Sequence, residues 1–86
     1  MGKYTKIKEK ILLGDNDNNI DLTDLCHLLS RLGFNKRIKG DHHIFSHDMI
    51  DEIINIQPKG NKAKSYQVKQ IRDILLKYKL GESNVD

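Results

Sequence analysis

The apolar pattern of the chain changes its period at Gly33, and this change constrains the fold more than any other feature. From Phe34 to Lys39 the side chains alternate between two sides, as they do along a strand. Gly33 itself is a natural end for a helix. Before it, apolar residues recur at the three- and four-residue spacing of a helix: Leu22, Leu25, Cys26, Leu29 and Leu32.

A shorter helix is predicted before the leucine-striped one. Over residues 3–13 one face is apolar and lysines fill the other face. Residues 14–19 are rich in Asp and Asn, which favour turns, so we predict that they form a linker. Asp21 then has the side chain expected of the N-cap of the leucine-striped helix. The apolar face of the first helix contains Tyr4, Ile7 and Ile11.

The end of the chain predicts one more helix and a polar tail. Residues 58–64 read as a basic loop, and Ser65 is the expected N-cap. The tail from Gly81 is polar, and we expect it to fray. The predicted buried stripe of this helix is Val68, Ile71, Ile74, Leu75 and Tyr78, with Lys69, Arg72 and Lys77 facing water.

Two more strands are predicted between these helices. Gly40 and Asp41 form a tight turn before a strand from His42 to Ser46, and residues 47–51 connect it to a strand from Glu52 to Gln57. Short strands at this spacing favour an antiparallel meander. The predicted fold class is therefore α+β: a three-stranded antiparallel sheet with two helices on one face, and an extra N-terminal helix.

Length and composition agree with one small domain. The chain has 86 residues and contains no apolar run that could cross a bilayer, so we expect no membrane association and a cytoplasmic location. Its single cysteine, Cys26, is expected in the core. The predicted division is an N-terminal helix and linker over residues 1–20, a main domain over 21–80 and a polar tail over 81–86.

Positive charge is concentrated in the middle and end of the chain. From Arg31 to Lys79 there are eleven Lys and Arg residues against five acids, whereas the first thirty residues hold four lysines and five acids. Lys and Arg contacts to phosphate supply most of the non-specific energy of nucleic-acid binding. This segment therefore favours a polyanionic partner, although a solvated lysine-rich surface has the same pattern.

Three of the four histidines fall between Lys39 and His47, and their chemistry suits RNA cleavage. An imidazole can remove the proton of a ribose 2′-hydroxyl near neutral pH, and nearby cations can stabilise the phosphate that is then attacked. Alternation places His42 and His43 on opposite faces of their strand and does not decide which face is buried. A histidine in a short strand beside Phe45 is more often a partly buried, hydrogen-bonded side chain than a catalyst, and the spacing does not favour a metal site.

The order of these features resembles the HicA-type toxins of bacterial toxin–antitoxin systems. The resemblance lies in Leu32-Gly33-Phe34 after the leucine-striped helix, in Gly40-Asp41-His42-His43-Ile44-Phe45, and in the closing helix Val68–Leu76. It covers about residues 21–80. It implies a fold similar to a double-stranded-RNA-binding domain. It also implies an mRNA interferase, which is an endoribonuclease acting on mRNA, and a cognate HicB-type antitoxin that covers its active site.

The resemblance also implies specific roles for residues. The first histidine of the family's His-His pair is catalytic and corresponds to His42, which would act as general acid and base without a metal or cofactor. The residues expected to contact RNA are Arg37, Lys39, Gly40, Lys59, Lys62 and Lys64.

Three features depart from the family pattern. Asp41 replaces the usual serine, and it can either stabilise an imidazolium or repel phosphate. Residues 57–62 keep the Pro, Gly and positive charge of the family's loop but lack its histidine, so one histidine must serve as both acid and base unless water and lysine help. The N-terminal helix is additional, and we expect it to pad the open side of the core or to bind the antitoxin.

Two other classes of function fit the same residues. A non-catalytic RNA-binding module, in which Asp41 marks a lost active site, predicts salt-dependent RNA affinity without cleavage. A protein-interaction domain that binds an acidic partner through the basic face predicts no RNA affinity at physiological salt.

Overall fold

The computed structural model describes residues 2–82 and residue 85. None of the helices within these residues has the length and apolar character that a membrane span needs. The elements in chain order are α1 (Lys3–Leu13), a 3-10 turn (Asp17–Asn19), α2 (Leu22–Arg31), β1 (Asn35–Lys39), β2 (His42–His47), β3 (Ile50–Ile56), α3 (Ser65–Lys77) and a second 3-10 turn (Leu80–Glu82). The predicted α+β class and the predicted element order are confirmed.

Most predicted boundaries are accurate, and the errors fall at the ends of strands and at the start of α3. The strand β3 begins at Ile50 instead of Glu52, because Ile50 pairs with His47 across a turn that is shorter than predicted. The N-cap of α2 is confirmed, since the Asp24 backbone N–H donates to Asp21 Oδ1 at 3.0 Å. The predicted cap of α3 is wrong: Ser65 is the first helical residue, and Lys64 is the N-cap without a side-chain cap bond.

The sheet is an antiparallel meander in which β2 is the central strand. Lys39 pairs with His42, so only Gly40 and Asp41 form the turn between β1 and β2. Gly40 has φ +61°, whereas Asp41 is not among the positive-φ residues. A glycine with positive φ at the first central position is the pattern of a type II′ turn, whose twist matches that of the flanking strands.

The core lies between one face of the sheet and the helices. Phe45, Ile54 and Ile56 of the sheet are fully buried, together with Leu25 of α2 and Val68 of α3. Cys26 is also buried, as predicted, and its burial raises the pKa of the thiol. On the opposite face the structure leaves the sheet open to solvent, which agrees with the prediction that the helices cover one face.

The N-terminal helix belongs to the core and does not cover the open face of the sheet. Ile11 of α1 is fully buried in the same cluster as the residues of α2 and α3. Polar contacts also join α1 to α2: Lys3 forms an ion pair with Asp24, and the hydroxyl of Tyr4, which packs against the core, hydrogen-bonds with His27. The expectation that this helix pads the open side is therefore wrong, since it packs on the helical layer.

The predicted linker is also structured, because Asp17 binds α3. Arg72 donates to both carboxylate oxygens of Asp17, at 2.9 and 3.1 Å, and to the carbonyl oxygen of Ile11 at 3.2 Å. Arg72 was expected to face water, and its side chain is instead only 17% exposed. The ion pair with Asp17 raises the pKa of Arg72.

The predicted polar tail is likewise packed in part. Leu80 lies against the core and begins a 3-10 turn, and Val85 is 3% exposed within the core cluster. Residues 83, 84 and 86 of the tail lie outside the described residues.

Candidate active site and nucleic-acid interface

The structure places His42 on the open face of the sheet, which the sequence alone did not decide. In an antiparallel sheet, paired residues share a face. Phe45 pairs with the buried Ile54, so Phe45 and every second residue from it face the core. His42, Ile44 and Ser46 are therefore on the other side, where Asn55 of β3 is exposed.

A hydrogen bond from β3 orients the His42 ring. The Nδ1 atom of His42 lies 2.9 Å from Oδ1 of Asn55. An amide oxygen can only accept, so Nδ1 carries the proton in the neutral ring and Nε2 keeps its lone pair. No partner for Nε2 is found in the described part of the chain. The ring is therefore held in the tautomer that a general base needs at Nε2.

Two cations of β1 share this face with His42. Lys39 is the strand partner of His42, and Arg37 is the partner of Ile44. Directly paired residues have Cβ atoms about 4.5–5.5 Å apart and diagonal neighbours are about 7–8 Å apart, so Lys39 begins beside the imidazole and Arg37 begins one diagonal step away. Both are exposed and can move towards a bound phosphate. The predicted juxtaposition of Arg37, Lys39 and His42 is thus present at one end of the sheet.

The other two histidines of the cluster lie on the core side. His47 Nε2 lies 3.2 Å from the carbonyl oxygen of Leu32, and the Met49 backbone N–H donates to His47 Nδ1 at 3.0 Å. A carbonyl only accepts, so Nε2 carries the proton and both ring nitrogens are engaged. His43 pairs with the buried Ile56, and its Nδ1 is buried without a partner in the described residues.

Gly33 is required at its position by the structural role of His47. Gly33 has φ +95°, and a Cβ atom there would lie 3.1 Å from His47 Nε2. The side chain of His47 also packs edge-on against Phe34, with 5.0 Å between the ring centroids. His47 therefore fastens the β2–β3 turn to the end of α2.

A second group of cations surrounds a cleft at the start of α3. The cleft is lined by the three lysines of this loop that were predicted to contact RNA, namely Lys59, Lys62 and Lys64. Lys59 and Lys62 exchange two backbone hydrogen bonds of 3.1 Å, which close a tight turn around Gly60. The loop is fixed to the start of α2, because the Leu22 N–H donates to the Asn61 carbonyl oxygen.

The cleft adjoins the face that carries His42. Lys64 Nζ donates to Oε1 of Gln57 at 3.5 Å. Gln57 directly follows the last residue of β3 and is two residues from Asn55, a step of about 7 Å in an extended chain. The polar side chains of Asn55 and Gln57 therefore lead from His42 to the cleft, and the structure brings the two groups of predicted RNA-binding residues into one surface.

Two residues that support the candidate site were not predicted from the sequence. One is Asn55, the hydrogen-bond partner of His42. Gln67 is 2% exposed and donates from Nε2 to the Asn55 carbonyl oxygen at 2.8 Å, so α3 holds the strand segment that carries Asn55. A glutamine inside an otherwise apolar helical stripe was the available signal for Gln67.

At the opposite end of β3, Glu52 joins the sheet to the end of α3. Tyr78 donates a short hydrogen bond from its hydroxyl to Glu52 Oε2, and Lys77 Nζ donates to Oε1 at 2.9 Å. The Tyr78 hydrogen bond, and then that of Lys77, lower the pKa of Glu52. The same contacts with Glu52 raise the pKa of both Tyr78 and Lys77.

The arrangement as a whole offers acid–base chemistry next to an anion-binding surface. His42 supplies a base, and the cations beside it and in the cleft can bind phosphates. Among residues 2–82 and 85, no group of three or more His, Cys, Asp or Glu side chains gathers as metal ligands.

Comparisons with known proteins point to one family. The model of the HicA toxin of bacterial toxin–antitoxin systems matches residues 23–78. This segment runs from the first turn of α2 to the end of α3 and contains both groups of cations and His42. Searches of curated proteins and of solved structures found no match. Since the family model matches well over half of the chain, this protein belongs to the HicA toxin family of bacterial toxin–antitoxin systems.

Proposed function

We propose that this toxin is an endoribonuclease that cuts mRNA and thereby inhibits translation, with His42 as its general acid and base. The observation that carries the proposal is the orientation of His42 by Asn55, which leaves Nε2 with a lone pair on the basic open face. Lys39 and Arg37 flank the ring on that face. Membership of the family supports a toxin, and the side-chain geometry supports the chemistry.

The proposed reaction needs only groups that this surface supplies. Nε2 of His42 takes the proton of a ribose 2′-hydroxyl, and the oxygen attacks the adjacent phosphorus. The bond from phosphorus to the 5′-oxygen breaks, and this oxygen receives a proton from the imidazolium. The products are a fragment with a 2′,3′-cyclic phosphate and a fragment with a 5′-hydroxyl. His42 returns to its neutral form, so one residue acts as base and then as acid.

The cations contribute by stabilising charge on the phosphate. Negative charge grows on the phosphate oxygens in the transition state, and preformed cations lower its energy. In this proposal Lys39 and Arg37 contact the phosphate that is cut. The neighbouring phosphates are contacted by Lys59, Lys62 and Lys64. Gly40 permits the tight turn that puts Lys39 opposite His42. The proposed reaction uses neither a metal nor a cofactor.

Family membership implies a HicB-type antitoxin as the partner. We propose that this antitoxin covers the open face of the sheet, where an acidic surface would meet Arg37 and Lys39 and block His42.

The test is inducible expression in a bacterial host of the wild type, His42→Ala and His27→Ala. His27 is an exposed histidine on α2, away from the open face, and provides the matched control. We expect growth arrest and mRNA loss with the wild type and with His27→Ala, and neither effect with His42→Ala. In vitro, His42→Ala should lower the cleavage rate by about 10²–10⁴-fold. A folded His42→Ala protein that cuts RNA at the wild-type rate contradicts the assignment.

A second candidate is a toxin homologue that binds RNA without cutting it. The observation that favours it is Asp41, an exposed acid directly before His42 that can repel the phosphate. In that case the wild-type chain binds single-stranded RNA in a salt-dependent way, and Asp41→Ser gains cleavage that the wild type lacks.

A further inference from the structure

We propose that the cleft at the start of α3 is a nucleotide subsite, in which Tyr66 stacks on a base and the lysines of the loop bind its phosphate. This inference rests on the proposed function, because it names a second place where the same RNA strand binds. It assigns to Tyr66 a role that the basic residues alone do not suggest.

The cleft has the size of a small-molecule site. Its volume is about 620 Å³, within the range of about 300–1,000 Å³ that is usual for ligand pockets. The lining of the cleft includes one aromatic residue, one apolar residue, one hydroxyl residue and three lysines: Tyr66, Ala63, Ser65, Lys59, Lys62 and Lys64. None of the described residues that line it is acidic, so the cleft selects for anions.

Tyr66 is placed for stacking and is not needed by the core. Its side chain is 63% exposed, in the first turn of α3, whereas Tyr78 at the other end of the helix packs against the core and binds Glu52. An exposed aromatic ring beside cations is the usual platform on which single-stranded RNA stacks its bases. Lys64 Nζ lies 6.0 Å from the ring centroid, so a cation is already next to the ring.

The cleft lies beside the proposed catalytic residue along the path of one strand. Lys64 contacts Gln57, and Gln57 is two residues from Asn55, which binds His42. An RNA strand that places a phosphate at His42 can therefore continue over β3 into the cleft. A nucleotide near the cut, and not the cut phosphate itself, would occupy it.

A nucleic acid explains this cleft better than an acidic protein segment does. Both would bind the lysines, but only a nucleotide offers a planar ring for Tyr66 together with a phosphate. Stacking tolerates any base, so the site contributes affinity and position more than sequence preference.

The test measures binding of the full chain to a single-stranded oligonucleotide of 2′-O-methyladenosine, which lacks the nucleophilic hydroxyl and stays uncut. The variants are Tyr66→Ala, Tyr66→Phe and the control Leu76→Ala, which removes an equally exposed apolar side chain elsewhere on α3. The same proteins are measured with a series of oligonucleotides that each lack one base. We expect Tyr66→Ala to bind about 5- to 10-fold more weakly, the lower end of what base stacking contributes.

A stacking role for Tyr66 predicts two further results. Tyr66→Phe and Leu76→Ala should bind like the wild type. Removal of one particular base should weaken the wild type and leave Tyr66→Ala unchanged, because the base and the ring then form a single contact.

Failure of this inference differs from failure of the proposed function. Two results would show that the stacking site is wrong while the nuclease proposal stands, provided that the wild type binds the oligonucleotide. In the first, Tyr66→Ala binds as well as the wild type. In the second, Tyr66→Ala is weaker than the wild type by the same factor with every oligonucleotide that lacks a base. If the wild type shows no affinity for the oligonucleotide at physiological salt, both are wrong and a protein partner for the basic face is favoured.

Discussion

The two faces of β2 hold the histidines at its two ends in different environments. On the core face His47 has both ring nitrogens engaged by backbone groups, Leu32 O and the Met49 N–H. On the open face His42 has one nitrogen engaged, by the side chain of Asn55. A histidine whose nitrogens are both bonded to the backbone serves the fold. One whose second nitrogen has no partner in the described residues can exchange a proton with a ligand.

The comparison also separates stability from function along one strand. The core face carries Phe45, which is fully buried, and the open face carries Ile44, which is half-buried beside Arg37. Substitutions on the core face should therefore change the free energy of unfolding, and those on the open face should change RNA cleavage.

The largest effect is expected for Phe45→Ala. Removing a fully buried phenylalanine leaves a cavity and costs about 3–5 kcal/mol of stability, a large fraction of what a domain of this size has. Ile44→Ala should cost less than about 1 kcal/mol, since an open-face side chain has less to lose. Urea denaturation followed by circular dichroism measures both. A loss for Ile44→Ala as large as that for Phe45→Ala would contradict the assignment of Phe45 to the core face and of Ile44 to the open face.

A smaller loss of stability is expected for His47→Leu. The substitution keeps the bulk next to Phe34 but leaves the Leu32 carbonyl and the Met49 N–H without their partner. We expect a loss of about 1–3 kcal/mol from the part-buried Leu32 carbonyl, whereas the exposed Met49 N–H can bind water instead. His42→Leu, the matched change on the open face, should stay within about 0.5 kcal/mol of the wild type. Urea midpoints would contradict the comparison if His42→Leu were the less stable variant.

Asn55→Ala should slow cleavage without unfolding the protein. The imidazole of His42 then loses the bond that fixes its tautomer, and we expect about a tenfold lower rate, part of the 10²–10⁴-fold that proton transfer contributes. Nitrogen-15 NMR of the His42 ring reports the tautomer directly, and it does so whether or not the protein cuts RNA.

The control for Asn55 is Ile53→Ala, which changes an exposed side chain on the same face of β3. It should keep both the cleavage rate and the His42 tautomer. A wild-type ring that carries its proton on Nε2 would overturn the role of Asn55.

The smallest effect is expected for Glu52→Gln, which should change how the stability of the protein depends on pH. The pKa of Glu52 is lowered in the folded protein, so its carboxylate stabilises the fold at neutral pH. This contribution is lost as the pH falls below the ordinary pKa of a glutamate and through the lower pKa of the folded state. Glu52→Gln should therefore lose less stability between pH 7 and pH 3 than the wild type does. Urea midpoints at the two pH values measure this, and parallel losses would contradict the role of Glu52.

Regular patterns in the sequence were enough to predict the elements. The leucine stripe of α2 and the alternation from Phe34 to Lys39 each rest on residues close in sequence, and the structure confirms the helix and the strand that they predict. The buried face of β2 was not predictable in the same way, because Ile44 and Phe45 balance each other. It is decided by pairing with β3, where Phe45 meets Ile54.

The contacts that sequence reading missed all join distant residues. Asp17 and Arg72 are 55 positions apart, and nothing local distinguishes Asp17 from the other acids of its turn-rich segment. Asn55 gains its role only from the register that brings it diagonally opposite His42. The resemblance to the family identified His42, and only the folded sheet could identify its partner.

The Asp17–Arg72 ion pair also crosses the boundary of the family. Arg72 lies inside the segment that the family model matches, whereas Asp17 and Ile11, its two partners, lie before it. The segment that the family model matches therefore relies on contacts with residues that precede it. A chain cut back to residues 23–78 would leave the Arg72 guanidinium, which is only 17% exposed, without both partners and would remove Ile11 from the core. We therefore expect the shortest segment that folds on its own to be longer than the segment that the family model matches.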